Sequence, residues 1–294
     1  MTISLARPAK RDTARKGSFA WLGVMPYFVF VGMFLMWPTL SLGWHSIHDS
    51  SGFTFTHIHT AISGQYYRAF VTSTKLSAIS ALIGGVIGTM TAYAIVSIQR
   101  PKWLKALVTT FSALAAQMGG IALAFAFIAT LGFQGLVTKF LRESLHFDLA
   151  DHGFSLFTLT GLVVVYLYFQ IPLMILVMLP AVEGLKPAWS EAAANLGASR
   201  WQYWRRVGIP ILGPAMAGGI VLLFANAFSA YATAYALTTG QINLVPIQIG
   251  FFVSGNVLND PELGNALSFV MVLVIATAIV LYQLLQRRSA KWLR

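Results

Sequence analysis

Six stretches of this chain, at residues 19–44, 76–98, 106–132, 154–179, 207–237 and 266–285, contain no Asp, Glu, Lys, Arg or His. Each reaches the ~20 apolar residues that carry an α-helix across the hydrocarbon core of a bilayer. Lipid offers no partners for backbone N–H and C=O groups, so a helix that satisfies them within itself is the natural form. Pro26, Pro38, Pro172 and Pro214 fall inside or beside these stretches. Neighbouring helices can satisfy the carbonyls that proline frees. The expected fold is all-α, a polytopic membrane protein with six transmembrane helices. The first stretch is too long for the apolar part of a secretory signal and lacks a small-x-small cleavage pattern, so it reads as a retained helix.

Composition supports this. Hydrophobic residues make up 57% of the chain and charged residues 10%, with a mean hydropathy of +0.70. Soluble domains run near 45–50% apolar and about 25% charged. Such a balance excludes a disordered chain and argues against a soluble enzyme or a free nucleic-acid binder, despite the net charge of +11. There is no Cys, so thiolate metal sites and thiol nucleophiles are excluded.

The Lys and Arg residues set the orientation. With the N-terminus in the cytoplasm, 16 of the 20 lie on the cytoplasmic side and only Arg68, Lys75, Lys139 and Arg142 lie outside. Every cytoplasmic segment agrees with the positive-inside rule. Both termini are then cytoplasmic, as an even number of spans requires. Three acidic residues lie inside and six outside, so the inner face carries about +13 and the outer about −2. Trp21, Trp37, Trp44, Trp103 and Trp292 sit near span ends, where amphipathic rings anchor at the interface.

The segment between spans four and five has its own pattern. Pro187 suits a first helical turn, and 190–196 is rich in helix formers. Gly197 is placed to end that helix in a left-handed conformation, and Ser199 to cap a second short helix. Arg205 and Arg206 mark where span five meets the cytoplasmic headgroups. A helix, a Gly turn and a second helix are expected on the cytoplasmic face.

Glu191-Ala192-Ala193, then Gly197, then Val207-x-Ile209-Pro210 resembles the EAA motif of ABC importer permeases. That pattern is Glu-Ala-Ala, three residues, Gly, nine residues, then Ile-x-Leu-Pro. The spacing here holds throughout, with Val207 and Ile209 as mild apolar replacements. The resemblance covers roughly residues 70–285. It implies a type I importer permease domain at 19–286 (core 70–286, coupling loop 181–206), with a basic arm at 1–18 and a tail at 287–294. It also implies that Glu191, Ala192, Ala193 and Gly197 dock on a separate ATPase subunit, and that Pro210 sets the start of span five. The implied partners are an ABC ATPase dimer, a second permease chain, a solute-binding protein and the bacterial cytoplasmic membrane. ATP and Mg would lie on the ATPase and none on this chain. Family precedent favours a sister permease over a second copy.

The residues agree with a passive permease. The chain has no phosphate-binding G-x-x-x-x-G-K-[ST] motif, so it is not the ATPase. No ionisable residue lies in a span to couple protons or to act as an intramembrane nucleophile–base pair. The expected translocation path runs along span five. Asn226, Ser229 and Thr233 fall at i, i+3 and i+7 on one helical face, with Tyr231 and Tyr235 on a neighbouring face. Hydrogen bonding between helices is the competing reading for this face, and the favoured one for Gln117 and Gln170. Gly84 and Gly88 form a G-x-x-x-G suited to close helix packing.

All six His residues are outside. The His45-x-x-His48-Asp49 and His57-x-His59 pairs have chelating spacing, but solvated loop histidines are the favoured reading. The loop 238–265 is expected to hold a short surface or re-entrant helix. Span five and its following loop are similar to the spermidine/putrescine permeases, a group that shades into ferric iron, thiamine, sulfate and phosphonate importers. The resemblance implies a polyamine or related small solute.

Overall fold

A computed structural model describes residues 23–49, 52–98, 102–253 and 260–290. The basic arm 1–18 and the end of the tail lie outside the described residues. The helices are α1 (Met25–Val31), α2 (Trp37–Ile47), α3 (Thr56–Ala61), α4 (Gly64–Ser97), α5 (Lys102–Gln117), α6 (Gly120–Leu131), α7 (Leu136–Leu145) and α8 (Leu159–Glu183). They continue with α9 (Pro187–Asn195), α10 (Arg200–Tyr203), α11 (Ile209–Phe228), α12 (Ala232–Thr238), α13 (Val245–Val253) and α14 (Pro261–Ala290). A π-helical turn, Gly32–Met36, joins α1 to α2, and another, Trp204–Gly208, joins α10 to α11. A two-stranded hairpin, β1 (His48–Asp49) with β2 (Gly52–Phe53), follows α2.

Six helical stretches are long and apolar enough to span a membrane: Met25–Ile47, Gly64–Ser97, Gly120–Leu145, Leu159–Glu183, Arg200–Phe228 and Pro261–Leu284. The expected number therefore holds. Two of the expected single helices are broken. Span three, read as 106–132, is broken at Met118-Gly119 into α5 and α6, and the third long apolar stretch is α6 with α7, downstream of the expected bounds. Span five, read as 207–237, stops at Phe228 and resumes as α12. Uncharged sequence shows that a segment can lie in lipid, but it does not show that the helix is continuous. The loop after span five contains α13, as expected of a short helix there.

Helix α8 is the axis of the bundle, continuous through Pro172 and Pro180. Its first half joins Leu162, Val165, Tyr166 and Phe169 to Leu123 and Ala124 of α6 and to Ala234 and Leu237 of α12. Its second half joins Met174, Met178 and Val182 to Ala92 and Ile95 of α4 and to Leu212 and Leu223 of α11. A third cluster joins Tyr66 and Phe70 to Phe228, Val245 and Leu267. The first span stands at the edge, with α2 packed on α14 so closely that a Cβ on Gly43 would meet the Phe269 ring at 2.9 Å.

Glycines set the closest approaches. A Cβ on Gly88 would meet Met174 Cβ at 2.5 Å and the Ile171 carbonyl at 2.9 Å, and one on Gly219 would meet Met174 Sδ at 2.6 Å. The G-x-x-x-G surface is thus where α4 presses on α8. Tyr282 Oη donates to the Pro214 carbonyl at 3.0 Å, tying α14 to α11.

The two ends of the bundle are distinct. Lys105 and Glu183 pair at 2.5 Å at one end. At the other, Asn243 Nδ2 donates to the Gln65 carbonyl, the Val245 N–H donates to Ser73 Oγ, and His57 lies 3.9 Å from Asp260. In the loop after α7, the Ala150 backbone N–H bonds the Asp148 carboxyl and the Arg142 guanidinium pairs with it. The Ala150 bond above all, with Arg142, holds that carboxyl below its usual range, against an opposing effect of burial.

Gly88→Leu should destabilise the bundle by about 1–3 kcal/mol through overpacking against α8. Gly213, which has nothing within 4 Å of an added Cβ, should accept Ala with no loss or a gain of about 0.5–1 kcal/mol. Thermal unfolding of the two variants in detergent checks the contrast.

Candidate functional site

The loop between spans four and five forms as its sequence requires. Pro187 opens α9, and no residue of that helix is buried. The Ala198 N–H bonds the Ala193 carbonyl at 2.9 Å and the Gly197 N–H bonds the Ala194 carbonyl at 2.9 Å. These two bonds are a Schellman turn. Gly197 stands at φ +76°, which a residue with a Cβ rarely adopts. Ser199 and Gln202 then form a reciprocal capping box at the start of α10. Glu191, Ala192 and Gly197 are exposed, Ala193 is half-buried, and Leu196 is 88% exposed. The chief neighbour of α9 is α10, so the helix stands clear of the bundle.

The π-turn fixes how this loop enters span five. Trp204 lies against Tyr93 of α4 with ring centroids 4.8 Å apart, and a Cβ on Gly208 would meet the Trp204 ring at 2.5 Å. Arg205 and Arg206 face outward, and Pro210 is exposed in the first turn of α11. Lys105–Glu183 ties the base of α5 to the end of α8, just ahead of α9. Sequence reasoning missed both features. Opposite charges 78 residues apart carry no local signal, and the π-turn follows from the Trp204–Gly208 packing.

The expected path face is divided by the break in span five. Asn226 and Ser229 are exposed, but Thr233 is only 3% exposed and turned inward. The expectation of one continuous Asn226–Ser229–Thr233 face is corrected, because the helical register is lost at 229–231. Thr233 Oγ1 instead accepts from the Gly120 N–H at 2.7 Å and lies 3.2 Å from the Gly120 carbonyl, to which it donates. Tyr166, fully buried, donates to the Ala230 carbonyl at 3.0 Å. The two breaks thus have their exposed backbone groups covered by each other and by α8, as a non-aqueous setting demands.

Tyr231 and Tyr235 do form a pair, stacked with centroids 5.4 Å apart and an interplanar angle of 20°, and both are part-exposed. Gln170 is buried and donates to Ser80 Oγ at 3.1 Å, the expected interhelical role. Gln117 is exposed at the end of α5 instead. Among the described residues no group of three or more His, Asp or Glu is placed to hold a metal ion. His48 stacks on Trp44 at 4.0 Å and lies against Phe53 at 3.8 Å.

A family model described as the binding-protein-dependent transport system inner membrane component matches residues 84–294. The chain belongs to this family of ABC importer permeases. It is 22% identical over 283 residues to the ferric transport system permease protein FbpB of Actinobacillus pleuropneumoniae, covering 96% of this permease and 40% of that one. It is 29% identical over 200 residues to the sulfate transport system permease protein CysT of Escherichia coli, covering 67% and 62%. It is 28% identical over 167 residues to the molybdenum transport system permease protein ModB of Mycobacterium tuberculosis, covering 55% and 57%. The permease thus spans less than two thirds of the length of each of these relatives.

In fold, it matches a bacterial alginate ABC transporter chain with TM-score 0.72 and 19% identity, over 91% of this chain and 93% of that one. It also matches a chain of the MetNI methionine ABC transporter with TM-score 0.52 and 15% identity, over 77% and 99%. The six-span bundle is therefore the type I importer fold.

Tyr166→Phe removes the donor to the Ala230 carbonyl while keeping the ring. It should cost about 1–3 kcal/mol, the penalty for an unpaired buried carbonyl. Comparing its thermal stability with that of Tyr168→Phe, whose hydroxyl makes only a 3.9 Å contact with Met118 Sδ, checks this.

Proposed function

We propose that this chain is the membrane-spanning subunit of an ATP-driven importer, working with a second permease, a pair of ATPase subunits and a solute-binding protein. The observation that carries this reading is α9. A short helix bearing Glu191-Ala192-Ala193, closed by a Schellman turn at Gly197 and standing clear of the bundle, presents a rigid knob to a separate subunit. Its other end is built into span five through Trp204 and Gly208, so a push on α9 passes into α11. Glu191 is the acidic handle on an otherwise basic face and would pair with a cation of the ATPase. ATP and Mg belong to that partner.

The N- and C-termini lie on the α9 side, in the cytoplasm, by the charge distribution. A second bundle is implied because one such loop serves one ATPase. The ferric permease, of whose length this chain covers 40%, has room for two bundles of this size, which fits a paired arrangement. The path runs along the exposed Asn226, Ser229, Tyr231 and Tyr235. Amide and hydroxyl groups exposed at this depth are costly against lipid and suit a wet path or the sister chain.

For the solute, we propose a small ion of the kind named for the relatives: ferric iron, sulfate or molybdate. A neutral path with no fixed charge neither traps nor repels either sign. The polyamine reading rests on the stacked Tyr231–Tyr235 pair, whose ring faces suit an organic cation; no relative named above is a polyamine permease. Calorimetry of the partner solute-binding protein with ferric citrate, sulfate, molybdate and spermidine decides between them. Submicromolar binding of spermidine alone would sink the ion assignment.

Glu191→Lys and Gly197→Asp should each reduce uptake at least tenfold, while membrane insertion stays at the wild-type level and only Gly197→Asp loses stability, by about 1–2 kcal/mol for the left-handed backbone at that position. Uptake and ATPase assays on the reconstituted complex check this. Normal solute-stimulated ATPase activity and uptake in Gly197→Asp would overturn the docking role of α9.

A further inference from the structure

The breaks in spans three and five meet at one residue pair. Gly119 is extended and Gly120 stands at φ +74°, so the chain turns sharply between α5 and α6. The Gly120 N–H has left the helical ladder and needs a partner. Thr233, the second residue of α12, meets both polar groups of Gly120 with one hydroxyl, accepting at 2.7 Å and donating across 3.2 Å. A hydroxyl is one of the few side-chain groups able to do both. Thr233 is 3% exposed and Gly120 is half-buried, with the Ala232 Cβ 3.7 Å from where a Cβ of Gly120 would stand.

The packing on either side of the breaks differs. Beyond them, α6 and α12 pack on one another. Before them, α5 packs on α8, and α11 packs on α4 and α8. Tyr166 of α8 holds the Ala230 carbonyl between the two halves of span five. The stretches 106–132 and 207–237 are therefore each divided into a half packed along α4 and α8 and a half, α6 or α12, seated with the other on the Leu162–Phe169 part of α8, and these second halves share a fastening.

We propose that Thr233 pins α6 to α12, so that these second halves turn as one body about the two breaks during transport. Thr233 is a positioning residue, and this role rests on the transport reading given above. Because α12 carries Tyr235, and Tyr231 adjoins it, such a turn moves the aromatic pair relative to Asn226 and Ser229 on α11. Hinges of this kind need a few residues that absorb backbone rotation, and 118–120 and 229–231 are those residues.

The chain has no Cys, so spin labels report only from introduced sites. Label pairs on the reconstituted complex would join Phe125→Cys on α6 to Ala236→Cys on α12, and Leu114→Cys on α5 to Phe125→Cys. Leu82→Cys on α4 with Leu222→Cys on α11 serves as the control. Between the resting and vanadate-trapped states, the 125–236 distance should stay constant while the 114–125 distance shifts. Thr233→Val, which keeps the shape but loses the hydroxyl, should roughly double the width of the 125–236 distribution. The 82–222 distribution should not change, and Thr233→Ser should restore the narrow one.

A 125–236 distance that shifts as much as 114–125 overturns the proposal. So does a narrow distribution in Thr233→Val, or equal broadening of the 82–222 control, which would make Thr233 a general element of the fold. If no pair moves on trapping, the turn about the two breaks is overturned, and solute uptake by the same reconstituted complex shows separately whether the transport reading stands.

Discussion

Every backbone N–H and C=O in this protein that lies within the membrane must find a partner inside the protein. The rest of the structure answers to that requirement. Where a span is one helix without an internal proline, as in α4, the helix meets it alone. Where spans three and five break, the freed groups of Gly120 and Ala230 are met by Thr233 and Tyr166. A third or fifth span broken alone would leave bare amides in lipid. The two interruptions are possible because they meet one another directly and lie beside α8.

The same helix α8 separates two kinds of contact. Toward the α9 end it is gripped closely, with Met174 pressed against the glycine surfaces of α4 and α11. Toward the other end it carries the shorter pieces α6 and α12, which have less length over which to bury themselves. A transporter needs both. In the proposed importer, the tightly packed end would transmit a push from α9, and the divided end would rearrange around a solute. The Lys105–Glu183 pair adds a tie at the firm end. Both partners are about half exposed, so its energetic contribution is small.

Much of this was legible in the sequence. The six uncharged runs fixed the span count, because charge in lipid is so costly. The coupling loop was legible residue by residue, since Pro187, Gly197 and Ser199 each act through their own backbone neighbours. The close packing at Gly84 and Gly88 was legible too. The break at Gly119-Gly120 had a visible pair of glycines, which suited flat packing surfaces equally well. The break at Ser229-Ala230-Tyr231 had no local mark, because these residues are all tolerated in a helix. Placing Thr233 on the path face followed from assuming that the helix continued.

The sequence alone therefore determined that this chain has six membrane-spanning stretches, which loops share a side, and that one of those loops is a short helix closed at a glycine and followed by a capped second helix. These properties depend on hydration cost and on bonds between residues a few positions apart. The tertiary structure alone decided where spans three and five stop being helices and which hydroxyl faces inward. Those outcomes depend on Thr233 meeting Gly120 across 113 residues of chain, and on Tyr166 meeting Ala230 across 64. A hydrogen bond of that span has no period in the sequence, because it exists only once α6, α8 and α12 have packed.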